Sequence, residues 1–334
     1  MNTIVQSPRA VSAELRRVLP PAVGQTKRDL LSLHELTIAE FENLLNLAEQ
    51  LKHHPENFRD TLVGRTLALI FEKPSLRTRV TFEVGMHQLG GTAVYLSPQD
   101  IALGRREAVK DVARNLARWV HALAVRTFGH KILEELAAEA SIPVVNALSD
   151  LLHPLQAVAD VLTLREIKGG LRGLRMAYVG DGNNVAHALA QAAAKTGMHL
   201  TIAAPRGYEP AASVFRQARA DAVPTGAEIE VVQDPAEAVR SADAVYTDVW
   251  TSMGQEAESA ERRKIFAPYQ VNSFLLALAR PDAVFMHCLP AHRGEEVTDD
   301  VLDGPRSVVL EQAENRLHVA KAILLALLAD RGPR

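Results

Sequence analysis

"TLALIFEKPSLRTRVTFE", residues 66–83, passes from a short apolar strand, "TLALIF", into a helix carrying Phe82, Met86 and Leu89 on one face, which Gly90 and Gly91 close. The crossing between them gathers Ser75, Arg77, Thr78 and Arg79. Ligands of open α/β sheets collect at such carboxyl strand ends. A helix start offers unpaired N–H groups and partial positive charge to an anion, and guanidinium groups grip phosphate oxygens in pairs. The stretch therefore reads as a phosphate site in an α/β fold. The alternative is a capping serine with surface arginines, which needs no ligand.

Working outward, strand and helix signals keep alternating. "LSLHELTIAEFENLLNLAEQLKHH" (31–54) is helical behind the capping candidate Thr37, and "TAVYL", "ALAVR" and "IPVVNA" read as strands, with "VKDVARNLARWV" as the helix between the first two. "LLHPLQAVADVLTLREIKGG" (151–170) is a helix ending in paired glycines. A second unit opens with "LRMAYVGDGNNVAHALAQAAAKTG" and alternates through "HLTIAAP", "EIEVV", "AEAVRSA", "DAVYTDVW" and "AVFMHCLP". The pattern predicts two doubly wound parallel-sheet α/β domains. They are expected at 29–164 and 165–313, with the last apolar helix, 314–330, returning to the first domain and 1–28 forming a loosely ordered extension. The basic residues of that extension, Arg9, Arg16, Arg17, Lys27 and Arg28 against Glu14, also fit an organellar presequence.

Composition narrows the partners. The chain has 334 residues, 47% of them apolar, and a net charge of −3, so nothing electrostatic points to nucleic acid or an anionic membrane. The basic cluster at 71–79 is local and suits a small ligand. No apolar run reaches the roughly 18 residues of a membrane span, and the single cysteine, Cys288, fits a reducing, cytoplasmic compartment.

Four ordered motifs then carry a resemblance. "SLRTR" (75–79) resembles the Ser-Thr-Arg-Thr-Arg phosphate loop of the carbamoyltransferases, "HPLQ" (153–156) their carbamoyl-recognition motif, "DVWTSMG" (248–254) the ornithine-specific loop, and "HCLP" (287–290) the segment near the reacting amine. The similarity runs from about residue 30 to the C-terminus. It implies carbamoyl phosphate and L-ornithine as substrates, citrulline and phosphate as products, ordered binding with carbamoyl phosphate first, no metal or organic cofactor, and a homotrimer or a multiple of trimers.

The chemistry of carbamoyl phosphate gives the motif residues their expected tasks. Ser75, the backbone at Leu76, Arg77 and Thr78 would hold the phosphate. Arg126, ending "ALAVR", would stabilise charge developing in the tetrahedral intermediate. His153 and Gln156, read as sharing a helix face, would donate to the carbonyl oxygen and accept from the NH2 group. Gln99 and Arg316 match further family positions that reach carbamoyl phosphate. For ornithine, the carboxylate of Asp248 would pair with an ammonium group, while the resemblance assigns Asn184, Ser252 and Met253 to its polar groups. Cys288 would orient Asp248 or the amine, its thiol being a modest base at its usual pKa near 8.5. The Leu289 carbonyl would accept from the carbamoyl group.

One departure from the family loop is Leu76 in place of Thr, which removes a hydroxyl but leaves the backbone N–H. "GDGNNV" also resembles a dinucleotide fingerprint and suggests an NAD-dependent oxidoreductase. Val185 replaces its third glycine and two Asn stand in the loop. A non-catalytic phosphate-ligand binder would need no ornithine loop.

Overall fold

The computed structural model describes residues 18–20 and 27–329 except 102, 105 and 253. Most of the 1–28 extension and the Met253 assignment therefore lie outside the described residues. The chain divides into two compact units: one runs to Asp150 and resumes at Arg316, and the other is Leu151–Asn315.

The first unit opens with helix α1 (Ile38–His53), which begins as the sequence suggests. Thr37 accepts from the Glu40 N–H and Glu40 returns the bond to the Thr37 N–H, a reciprocal cap at 3.1 and 2.7 Å. Next come β1 (Thr66–Phe71), α2 (Leu76–Gln88), β2 (Thr92–Leu96), α3 (Val109–Trp119), β3 (Ala122–Arg126), α4 (His130–Glu139) and β4 (Val144–Leu148). All pairings are parallel, in the order β2-β1-β3-β4. Leu67, Leu69 and Phe71 on one face of β1 and Ala68 and Ile70 on the other are all buried, so the sheet is covered on both sides. Ala68 and Ile70 pack with Val112 and Ala113 of α3 and Leu133 and Leu136 of α4.

The second unit contains α5 (Pro154–Lys168), β5 (Arg175–Val179), α6 (Asn184–Thr196), β6 (His199–Ala203), α7 (Ala212–Ala222), β7 (Ile229–Val232), β8 (Ala244–Thr247), α8 (Ser259–Phe266) and β9 (Val284–His287). Its sheet is also parallel, ordered β7-β6-β5-β8-β9. The long helix α9 (Val309–Leu328) crosses from the second unit into the first at Arg316. The expected boundary near residue 165 instead meets the end of α5, which belongs by packing to the second unit and stops at Gly169, φ 73°. Among the described residues no helix is long and apolar enough to cross a membrane.

In each sheet the strand order reverses beside the first strand: between β1 and β3 in one unit, between β5 and β8 in the other. No crossover covers the carboxyl ends there, which leaves a crevice for ligand. In the second unit Gly182 keeps this crevice tight, because its N–H donates to the Tyr208 carbonyl at 2.8 Å and a Cβ would stand 2.2 Å from the Pro210 nitrogen. Gly182→Ala is expected to lower stability by about 1–3 kcal/mol, read as a lower urea midpoint.

Candidate active site

At the reversal in the first unit, Phe71 pairs with Arg126 across β1 and β3. Glu72 locks the two strand ends together. Its N–H donates to the Arg126 carbonyl at 2.8 Å, and its carboxylate accepts from the Thr127 hydroxyl and, at 3.1 Å, from the Phe128 N–H. This staple sets the position of Arg126, which is buried, against the loop that leads to α2.

Ser75 caps α2, accepting from the Thr78 N–H at 3.3 Å, so that helix points its free N–H groups out of the sheet's carboxyl edge. Thr78 is buried and its hydroxyl accepts from Arg316 Nη2 at 2.6 Å, which joins two of the expected phosphate residues across α2 and α9. Arg77 is half-buried and Leu76, the first helical residue, is 74% exposed. Arg79 departs from expectation: it pairs with Glu83 at 3.0 Å and stacks on Tyr95 at 3.8 Å, because in a helix it faces its i+4 neighbour rather than the loop. Gln99 is exposed on a short helix after β2, where its Oε1 accepts from the Ser97 hydroxyl.

In the second unit His153 is the residue before α5, not part of its face; Pro154 takes the first helical position and Gln156 lies in the first turn. Gln156 is buried, and its orientation is dictated by a network. The Gln312 Oε1 accepts from the His287 N–H at 3.0 Å, so its Nε2 turns to Asp160 Oδ1 at 2.8 Å. Gln156 Nε2 donates to the same oxygen at 2.7 Å, which leaves the buried Gln156 Oε1 as an acceptor with no donor among the described residues. A ligand NH2 group is the complement of that atom.

At the reversal in the second unit, Asp248 follows β8 and is 6% exposed. Its two oxygens are held separately, Oδ2 by Asn183 Nδ2 at 2.8 Å and Oδ1 by the Cys288 thiol at 3.0 Å. Cys288 and Leu289 follow β9. Leu289 has φ 57°, a left-handed conformation that costs a non-glycine residue about 1 kcal/mol or more, and its N–H is held by His287 Nδ1 at 2.8 Å. His287 is fully buried and spends its other nitrogen on Glu296 Oε1 at 3.1 Å. Asp248, His287 and Cys288 bring donor atoms within 4.8 Å of one another, but both imidazole nitrogens are already committed, which argues against a metal there.

Asn184 opens α6 and is half-buried, while Ser252 is half-buried with its N–H on Gln255 Oε1 at 3.2 Å. The loop after Asp248 is anchored by Arg262 of α8, which was not anticipated. Its Nη1 donates to the Trp250 carbonyl at 2.8 Å and to Asp181 Oδ2 at 3.0 Å, and its Nε donates to Glu258 at 3.1 Å. Burial pushes the Asp181 carboxyl up to about 6 against the pull of Arg262, with Asp248 and Glu258 adding to the rise. Asn183, Asp160, Gln312, Glu72 and Arg262 all escaped sequence reasoning. Only Asn183 left a signal, an Asn directly before a helical run, which marks an N-cap.

These features define a class: a two-unit α/β protein with a serine-capped helix start beside a buried arginine at one switch point and a held carboxylate at the other. The chain belongs to the aspartate/ornithine carbamoyltransferase family. The family's carbamoyl-P binding domain matches residues 28–166 and its Asp/Orn binding domain residues 172–327. The ornithine carbamoyltransferase of Anoxybacillus flavithermus is 55% identical over 303 residues, covering 90% of this chain and 96% of that one. That of Bacillus subtilis is 53% identical over 301 residues, covering 90% and 94%. The solved ornithine carbamoyltransferase of Pyrococcus furiosus superposes with a TM-score of 0.89 at 52% identity, covering 92% of this chain and 98% of that one. The Thermus thermophilus structure gives 0.82 at 51%, covering 90% and 98%.

The raised Asp181 carboxyl has a signed consequence. Between about 4 and 6 the folded chain holds a proton there that the unfolded chain releases, so this group's penalty is full above pH 6 and is relieved as pH falls. The urea midpoint of the wild type relative to Asp181→Asn should therefore rise as pH is lowered from 7 to 4.5.

Proposed function

We propose that this chain is an enzyme that transfers the carbamoyl group of carbamoyl phosphate to L-ornithine, giving L-citrulline and phosphate. The side-chain nitrogen of ornithine, entering as the neutral amine, bonds to the carbamoyl carbon. The bond from that carbon to the phosphate oxygen breaks, and the new nitrogen loses a proton. The observation that carries this reading is the buried carboxylate of Asp248 at the second switch point, with both oxygens already fixed. Such a group selects a cationic amino acid. An acidic acceptor would need cations in "DVWTSMG", which has none.

The first unit and the start of α5 supply the donor substrate's groups. Ser75, the Leu76 N–H, Arg77 and Thr78, with Arg316 behind Thr78, hold the phosphate. Gln99, on the short helix after β2, completes the phosphate residues in this reading. Arg126 and His153 take up charge on the carbonyl and bridging oxygens, and Gln156 Oε1 and the Leu289 carbonyl accept from the carbamoyl NH2. Asp248 holds ornithine, with Asn184, Ser252 and Met253 on its polar groups, and Cys288 fixes the carboxylate. Most of the acceleration comes from aligning two bound reactants and receiving charge on fixed donors. We assign 29–164, completed by 314–330, as the carbamoyl phosphate-binding half and 165–313 as the ornithine-binding half; the family matches to 28–166 and 172–327 support this division, although α5 packs with the second unit. We further propose a homotrimer working in the cytoplasm. The name of the Pyrococcus furiosus relative, "Ornithine carbamoyltransferase, anabolic", 52% identical over 308 residues, favours arginine biosynthesis as the direction of flux.

A panel of ornithine, putrescine, N-acetylornithine and aspartate with carbamoyl phosphate is expected to show citrulline formation from ornithine leading by orders of magnitude; turnover led by another acceptor refutes the assignment. Asp248→Ala should raise the ornithine KM by about 100-fold, the loss of a buried charge pair, with carbamoyl phosphate binding nearly intact. Arg77→Ala should damage the kinetics of both substrates. Leu76→Thr restores a hydroxyl at the first turn of α2, and one hydrogen bond to a charged group should lower the carbamoyl phosphate KM by about 10-fold. An unchanged value would mean that the backbone N–H at this position suffices.

A further inference from the structure

The amide of Asn183 can be oriented in one way only. Its Oδ1 caps α6, accepting from the N–H groups of Val185 at 2.9 Å and Ala186 at 3.3 Å. The same oxygen accepts from the Tyr178 hydroxyl at 3.2 Å, and burial keeps that phenol protonated by pushing its pKa well above the ordinary value. Three donors on one oxygen leave Nδ2 to face the other way, where it meets Asp248 Oδ2 at 2.8 Å. With Cys288 on Oδ1, this pins the carboxylate at both ends. The cap of α6 and the aim of Asp248 are thus set by one side chain.

We infer that Asn183 is the positioning residue for Asp248: it uses the rigid start of α6 to hold the ornithine-selecting carboxylate in its working orientation. The inference rests on the proposed reaction. Asn183 touches no substrate in this account and acts only through Asp248. The groups that face Asp248 are Asp181 from the loop after β5, the buried phenols of Tyr178 and Tyr246, and Cys288 after β9, while Arg262 balances Asp181. None of the others donates to Oδ2, so the donor lost with Asn183 has no replacement among the described contacts.

Two substitutions separate this task from capping. Serine and aspartate cap helices as well as asparagine does, so both variants keep α6; Asn183→Ser should melt within about 3 °C of the wild type, whereas Asn183→Asp sets a second carboxylate against buried Asp248 and, relative to the wild type, should melt lower at neutral pH than at acid pH. Serine is too short to reach Asp248, and aspartate offers an acceptor where a donor is needed. Citrulline formation should then show kcat/KM for ornithine reduced about 10- to 100-fold in both, the scale of a misplaced catalytic group, with the carbamoyl phosphate KM within about twofold. In Asn183→Asp the two adjoining carboxylates share a proton, so the acid limb of the ornithine kcat/KM profile should move to higher pH. Wild-type ornithine kinetics in both variants would overturn the inference, as would KM values for both substrates rising together with a fall in melting temperature in Asn183→Ser. A wild type that forms no citrulline overturns the proposed reaction and this inference with it; an active wild type matched by its variants overturns the inference alone.

Discussion

A parallel sheet must return its chain to the starting edge after every strand, and when successive returns leave in opposite directions, one gap at the carboxyl edge stays uncovered. Both units of this protein obey that constraint, and both place their polar chemistry in that gap. In the first it collects Arg126, the start of α2 and the Glu72 staple; in the second, Asn183, Asp181, Asp248 and the loop after it. The buried apolar strands beneath set the geometry. The ligand groups are appended to it, which explains why short loops can carry two distinct specificities on similar frames.

The polar groups do not rely on their own stiffness. Each is aimed by a partner whose second function forbids it to turn. Gln312 is fixed by the His287 backbone and in turn fixes Asp160, which aims Gln156. Arg262 is held between Asp181 and Glu258 with the aromatic faces of Tyr208 and Phe266 beside it, and so restrains the Trp250 carbonyl and the segment after Asp248. Such chains of obligation are how a loop acquires the precision of a regular element.

The sequence was most legible where one residue type had one physical use. Strands such as "TLALIF" and "ALAVR" are apolar on both faces and read as buried parallel strands, and Thr37 with Glu40 announced a helix start. Asp248 and Cys288 were singled out from their motifs, and the structure puts them in contact. What stayed hidden depends on distant neighbours. Asp160 and Gln312 are 152 residues apart, so no local pattern reveals their bond. Arg79 shared its neighbours' charge but not their direction, because helical geometry turned it to Glu83 and Tyr95. In "GDGNNV" the first Asn meets Asp248, which the reading passed over; helices α4, α7 and α8 also escaped the reading, since their apolar faces are short.

The histidine of "HCLP" sits beside the reacting segment, where an imidazole invites the role of proton carrier. Here its Nδ1 lone pair is occupied by the Leu289 N–H and its Nε2 hydrogen by Glu296, all within a fully enclosed pocket. An imidazole with both faces of its chemistry spoken for is a strut, and it keeps a left-handed leucine from relaxing. An imidazole so engaged is in no position to take the hydrogen shed by the attacking nitrogen.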